Sequence, residues 1–421
     1  MLALAALLVL GLGARPLLAQ ERSSRAAELF HRYAPRVVKV EVTETGSAAK
    51  AELGSGFFVS AHGHVVTNYH VVSQLVQHPE RYQASLIEVA GRSFPVHVLA
   101  VDVVHDLAVL ESDARPVGHF RLTPVAPEHG ARLFALGHPH DLGLSIVEGI
   151  YNGLLEHSLY PKIHFTGSIN PGMSGGPALD EQGRVVGINV STAGNQVSFL
   201  VPVERAAELV SRALAPDYEA PDDFLPVIAG QLRAYQAEYL DGIFADTTQT
   251  VTLGRFRLPT QPAPFFKCWA DADRDRDLPY QVVYHECSTD DYVYLSGDQS
   301  SGIIEMQHEL ITSTELSPSR FFSLYSEAFS DGDGMPGSDE DVTPFRCETR
   351  NVRTRARTYR AVLCVRGYKK LGGLYDAIVK MAALGTRTSG LMSTLRLSGV
   401  SFENVQRVTR RYLESFRWAD R

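Results

Sequence analysis

The sequence predicts a mainly β protein in two parts: a pair of small β-barrels over residues 22–215, then a separate α+β unit over residues 225–421. Three observations predict it. From Val37 to Pro202 short apolar runs (VVKVEV, GSGFFVS, HVVTNYHVV, FPVHVLAV, LAVL, RLFALG, RVVGINV and VSFLVPV) alternate with glycine-bearing breaks, the signature of many short strands. That stretch is long enough for two barrels side by side. The acidic, proline-containing APDYEAPDDF then reads as an interdomain linker at 216–224, and all four cysteines lie beyond it.

Composition bounds the function. The 421 residues are 44% hydrophobic and 21% charged, an ordinary globular balance for two or three domains at roughly 100–200 residues each. A net charge of −8 argues against a nucleic-acid partner, which needs a basic surface. Leu2 to Gly13 is apolar or glycine, and Leu17-Leu18-Ala19-Gln20 follows Arg15-Pro16. This reads as a signal peptide over residues 1–19, cut after Ala19, with an uncleaved anchor as the alternative. Either way the rest of the chain leaves the cytosol, for the periplasm or the medium.

Ser23 to Tyr33 places Ala26, Leu29, Phe30 and Tyr33 at helical spacing. After the barrels, Pro202 opens the helix VERAAELVSRAL, with Val203, Ala206, Ala207, Val210 and Leu214 as its apolar face. Leu225 to Phe244 is a further helix. Beyond it the chain reads as a duplication, with units at about 251–330 and 342–418. PFFKC at Pro264–Cys268 echoes PFRC at Pro344–Cys347, and Cys287 and Cys364 follow in turn. Each unit ends in Tyr-x-Glu-x-Phe, at Tyr325, Glu327 and Phe329 and at Tyr412, Glu414 and Phe416. An even cysteine count without a CxxC spacing suits two disulfides in an oxidising compartment, with four buried thiols as the alternative. The duplication pairs Cys268 with Cys287 and Cys347 with Cys364, each closing one strand–turn–strand.

The chemistry concentrates in NPGMSGGP, Asn170 to Pro177. A serine hydroxyl needs a base and a site for the developing oxyanion. Glycines around Ser174 let the backbone turn sharply, so that Gly172 and Ser174 could donate N–H groups to that oxygen. GSGFFVSAHGHVVTNYHVV reads as two strands joined at His62-Gly63, delivering His70 at the end of the second. DVVHDLAVL places Asp106 at the start of an apolar strand, able to orient an imidazole. Asp102 is the competing acid, but no Leu-Ala-Val-Leu run follows it directly.

VVTNYHVV, DLAVL and NPGMSGGP, in this order and with LGHPHDLG, GRVVGINV and SFLVPVERA, resemble the HtrA/Deg-type proteases of the trypsin-like superfamily over residues 30 to 215. The resemblance implies a double β-barrel with its cleft between barrels, a serine endopeptidase acting on misfolded exported polypeptides, a triad of His70, Asp106 and Ser174, and Gly172 as oxyanion donor. It also puts Ser168 at the base of the pocket for the residue before the scissile bond, with Val190, Ser191 and Thr192 as its wall. No acid at Ser168 awaits a basic side chain, so small to medium aliphatic residues are expected there. The chain departs from the family at Met173, where asparagine is usual, and at His138 and His140. No PDZ module is evident after Ala215.

Weaker signals count for less. The HxH of His138 and His140 lacks the further ligands of a zinc site. DADRDRD (Asp271–Asp277) and DGDG (Asp331–Gly334) lack the glycine and glutamate of a calcium loop. No metal or cofactor is therefore expected. Arg353, Arg355 and Arg357 alternate, as residues on one face of a strand do. A proteolytically inactive binding protein working through its C-terminal half is the alternative function. An envelope protein docking on that half, and a homo-oligomer, are partners the sequence leaves open.

Overall fold

The computed structural model describes residues 24–418 apart from 48, 245–248, 274–277, 298, 331–333, 356 and 386. The expected leader at 1–19 and parts of the two acidic loops, 274–277 and 331–333, fall outside the described residues.

The first half holds two closed six-stranded barrels. The first comprises β1 (Val37–Glu44), β2 (Lys50–Phe58), β3 (Val65–Thr67), β4 (Tyr82–Glu88), β5 (Ser93–Asp102) and β6 (Leu107–Ser112), closed in the order β1-β2-β3-β6-β5-β4. The second comprises β7 (Arg132–Gly137), β8 (Ser145–Leu154), β9 (Ile163–Phe165), β10 (Pro177–Leu179), β11 (Val185–Gly194) and β12 (Val197–Pro202), in the order β10-β11-β12-β9-β8-β7. Alternation drives the closure. In β1, Val38, Val40 and Val42 point into the barrel core, while Lys39 and Glu41 are less buried.

Two helices cover the seam between barrels. Helix α1 (Arg25–Tyr33) starts at Ser24, whose hydroxyl accepts the Ala27 N–H at 3.2 Å. It buries Leu29 and Tyr33 in the same cluster as Phe57, Phe134 and Ile188. Helix α2 (Tyr69–Gln77) packs on the first barrel. Helix α3 (Val203–Ala213) buries Val203, Ala206, Leu209 and Ala213. Its inward face is therefore rotated from the expected one: Ala207 is half-buried and Leu214 lies past the helix, exposed. The apolar residues outnumber one stripe here, and the groove between barrels decides which of them go in.

Beyond α4 (Leu225–Tyr239) come the short strands β13 (Thr250–Leu253) and β14 (Phe256–Pro259), then β15 (Phe266–Asp273) and β16 (Gln281–Thr289). A hairpin of β17 (Val293–Ser296) and β18 (Gln299–Ser301) precedes β19 (Ile304–Thr312) and helix α5 (Pro318–Ser330). The chain continues with β20 (Arg346–Arg353), β21 (Thr358–Gly367), β22 (Leu374–Ala383), β23 (Ser389–Ser401), helix α6 (Phe402–Ser415) and β24 (Arg417–Trp418). One seven-stranded antiparallel sheet has the order β15-β16-β19-β23-β22-β21-β20. Its two halves are built alike: each runs inward from an outer edge strand to a central strand followed by a helix. The hairpin β17–β18 occupies the chain position that β22 holds in the second half, but it leaves the sheet.

Both disulfides join residues directly opposite each other, Cys268 with Cys287 and Cys347 with Cys364. This is the pairing the duplication predicts. Each staples an outer strand, β15 or β20, whose residues are mostly exposed. Edge strands that bury so little apolar surface gain most from a covalent tie. The three arginines do not share a strand face, because β20 ends at Arg353 and the chain turns there, Thr354 N–H donating to the Arg357 carbonyl at 2.9 Å. Arg357 instead lies over the Trp418 ring.

The two halves are not independent. One core cluster runs from Val38, Leu86 and Leu110 of the first barrel through Ile228 and Leu232 of α4 to Leu295 and Met306. Polar contacts reinforce it: the Tyr69 hydroxyl and Gln77 Nε2 both donate to the Leu295 carbonyl, at 3.0 and 2.7 Å. Lys162 and Asp291 form an ion pair at 2.7 Å with side chains only 9% and 15% exposed. Removing one partner of so buried a pair costs about 3–5 kcal/mol, so this contact joins the second barrel firmly to the C-terminal half.

Candidate active site

His70 sits in the first turn of α2 and not, as the sequence suggests, at the end of a strand, since β3 stops at Thr67. The reason lies across the barrel. The Asn68 side chain does not cap the helix but donates to the Asp106 carbonyl at 2.7 Å. Asp106 does the capping: its carbonyl accepts the Tyr69 N–H at 3.1 Å and its Oδ1 accepts the His70 N–H at 2.8 Å. A carboxylate at a helix N-terminus is favourable for its orphan N–H groups and its dipole. The second carboxylate oxygen of Asp106, Oδ2, lies 2.6 Å from His70 Nδ1.

Asp106 is 6% exposed and has a φ of +55°, a left-handed conformation that aspartate tolerates better than most residues. It stands just before β6, as the DLAVL pattern implies. Asp102, the competing acid, is engaged by its own neighbour, with His105 Nδ1 at 2.8 Å and His105 N–H at 3.1 Å. Burial disfavours the His70 imidazolium, yet the facing Asp106 carboxylate and then Glu52 outweigh it, so the pKa is raised above the ordinary 6.5. Burial likewise raises the Glu52 carboxyl, against the pull of His70.

The loop around Ser174 requires its glycines. Gly172 and Gly175 have φ of +92° and +84°. A Cβ on Gly172 would meet the His138 carbonyl at 2.4 Å, on Gly175 the Ser55 carbonyl at 2.1 Å, and on Gly176 the Leu136 carbonyl at 2.0 Å. Neighbouring polar groups hold the turn. Ser55 Oγ donates to the Gly172 carbonyl and Ser55 N–H to the Ser174 carbonyl, both at 2.7 Å. Asn189 Nδ2 donates to the Leu136 and Met173 carbonyls at 3.0 and 3.1 Å. Met173 itself is fully buried in the core of the second barrel, which explains an apolar residue there. Among the described residues, neither the Gly172 nor the Ser174 N–H has a hydrogen-bond partner. Unpaired N–H groups on a rigid turn are what a developing oxyanion needs. The Ser174 hydroxyl donates to the Val190 carbonyl at 3.2 Å and not to His70.

A cavity of about 530 Å³ opens beside His70 and Asp106. Val190, Ser191 and Thr192 line it, whereas Ser168 is exposed and outside its lining. His138 is buried, with Nδ1 3.3 Å from Ser55 Oγ, and burial first, then Lys39, lower its pKa to about 4. His140 lies exposed in the adjoining turn.

Seven residues around the site carry no local sequence signal of their roles. Ser55 and Asn189 lie within the quoted GSGFF and GINV segments, but nothing local reveals that they brace the serine loop. Glu52 faces His70 from β2, where it reads as an outward strand residue. Asp290, Asp291, Tyr292 and Tyr294 line the cavity from the C-terminal half, a placement visible only once the chain has folded back.

Residues 54–188 match the family described as the trypsin-like peptidase domain. The chain is 29% identical over 220 residues to Protease Do-like 5, chloroplastic, of Arabidopsis thaliana, covering 44% of this chain and 68% of that protein. It is 30% identical over 223 residues to a probable periplasmic serine endoprotease DegP-like of Ectopseudomonas mendocina, covering 50% of this chain and 45% of the relative. It thus spans less than half of that bacterial relative. The crystal structure of Deg5 is 30% identical, covers 45% of this chain and 94% of that one, and superposes with a TM-score of 0.40.

Proposed function

We propose that the HtrA/Deg-type trypsin-like serine protease domain, residues 22–215, works as an endopeptidase on unfolded or damaged polypeptides outside the cytosol. The observation that carries this reading is the His70–Asp106 pair, 2.6 Å apart, on a segment whose Thr67 and Asn68 lie against Gly175 of the Ser174 turn. In it, the Ser174 hydroxyl leaves the Val190 carbonyl and attacks the scissile carbonyl while His70 takes its proton. Asp106 holds Nδ1 and stabilises the imidazolium. The Gly172 and Ser174 N–H groups receive the oxyanion. The imidazolium then protonates the leaving amine, and water repeats the sequence on the acyl-enzyme. Export fits the apolar N-terminal run and the two disulfides. In the same reading the chain divides into a protease domain (22–215), a linker (216–224) and a C-terminal domain (225–421). Incubation with casein, wild type beside Ser174→Ala, tests it; equal cleavage by both would end it.

Two further outcomes follow from the site. Val190, Ser191 and Thr192 put side chains on the cavity wall, where a deep pocket would need glycine. Cleavage is therefore expected after Val, Ala, Ile or Leu. Mass-spectrometric profiling of a peptide library checks this, and dominant cuts after Arg, Lys or Trp would refute it. The second concerns pH. A base works only when neutral, and the His70 pKa is raised above 6.5. Activity is therefore lost as pH falls through a midpoint above that value. Glu52→Gln removes one of the groups that raise it, so the acid limb of kcat/KM should move to lower pH. An unmoved limb would show that Glu52 does not act on His70.

A further inference from the structure

The cavity beside His70 has walls from both halves of the chain. The protease side contributes Glu52, Tyr160, Phe199 and the exposed edge Ser191–Ala193. The opposite wall is the turn from β16 into the β17–β18 hairpin, with Tyr292 50% exposed and the Tyr294 ring 6.0 Å from the His70 ring, edge to face. This wall is fixed in place. Asp291 is clamped by Lys162 and by the Leu159 N–H at 3.0 Å, and Leu295 is held by Tyr69 and Gln77. At about 530 Å³ the space is of ligand-pocket size and exceeds what one side chain needs.

Its charges are nearly all matched. Asp106 faces His70, Asp291 pairs with Lys162, and Asp290 pairs with Lys267. Among the described residues of the lining, Glu52 alone has a charge without a hydrogen-bond or ion-pair partner. An unpaired, half-buried carboxylate among tyrosine and phenylalanine rings favours a cation, through charge and through the ring faces. Lys162 already uses this chemistry, with Nζ 4.4 Å from the Tyr160 ring centroid.

We propose that the C-terminal half completes the substrate cleft, and that the joint pocket receives a lysine or arginine side chain of the polypeptide substrate flanking the scissile bond. This rests on the protease reading for the identity of the ligand, and it makes Glu52 and Tyr292 specificity-determining residues. It is compatible with an aliphatic residue directly before the cut, because the basic side chain occupies a different position.

The test uses the full chain carrying Ser174→Ala and fluorescein-labelled decapeptides with a central Val, in which Lys, Arg, Gln or Glu is scanned through the flanking positions. Lys or Arg at one flanking position should tighten binding about tenfold over Gln. Glu52→Gln and Tyr292→Ala should each remove most of that gain, and Tyr292→Phe should keep it. Equal binding of Gln and Lys peptides at every position, no binding of any, or a preference that survives both variants would overturn the proposal. Fluorophosphonate labelling of the wild type reports on Ser174 separately. A reactive serine without a basic preference removes this inference and leaves the protease reading, whereas a basic preference with an inert serine supports the pocket and removes the protease reading.

Discussion

Ser174→Ala is expected to lower kcat on a fluorogenic peptide by roughly a million-fold, and His70→Ala by about as much. The two groups act as one unit, so the double variant should be no worse than either single one. Both substitutions leave the fold alone. Ser174 donates a single hydrogen bond, to the Val190 carbonyl, and the turn around it is held by Ser55 and Asn189. The α2 N-terminus is held by Asp106 through the His70 backbone N–H, which alanine retains. Unchanged circular dichroism with lost turnover is the expected pair of results. Substantial activity in either variant would exclude the acyl-enzyme mechanism.

Reduction should have the second largest effect. Each bridge closes a short loop, Cys268 to Cys287 and Cys347 to Cys364, and a loop of this size contributes about 3 kcal/mol by chain-entropy arguments. Losing both removes a large share of a domain's usual ~5–15 kcal/mol. The cysteines lie only in the C-terminal half, so the seven-stranded sheet should loosen first, at its edges β15 and β20. The damage should not stop there. β16 leads directly into the Asp290–Tyr294 wall, so reductant should raise KM for polypeptides while Ser174 still reacts with a small fluorophosphonate. Hydrogen exchange with and without dithiothreitol reads both regions. Equal protection of β15 and β20 in the two conditions would show that the bridges are dispensable.

The barrels were legible because alternation of valines with polar residues in segments such as VVKVEV leaves little choice of face. Asp106 was legible from the apolar strand it precedes, and His70 from its place just after VVT, although the helix that carries it was not. The disulfide pairing was legible because each cysteine pair flanks a strand–turn–strand stretch, whose hairpin sets the two residues opposite each other. What failed depended on tertiary context. α2 begins immediately after β3 because a residue far along the chain, Asp106, caps it, and no local signal announces a distant cap. The buried face of α3 is chosen by the groove it fills, which admits Leu209 and Ala213 and leaves Leu214 outside. The cleft wall is the extreme case. Residues 289–295 lie far along the chain from His70, and only the return of the β17–β18 hairpin to α2 brings Tyr292 and Tyr294 beside it.

Labelling with a fluorophosphonate reads whether Ser174 is an activated nucleophile, because an ordinary serine hydroxyl does not react. Wild-type protein should be modified covalently, with the adduct mapped by peptide mass spectrometry to Ser174. Labelling should weaken as pH falls below the His70 midpoint and be absent in Ser174→Ala and His70→Ala. An unlabelled wild type, or a label on any other serine, would contradict an activated Ser174.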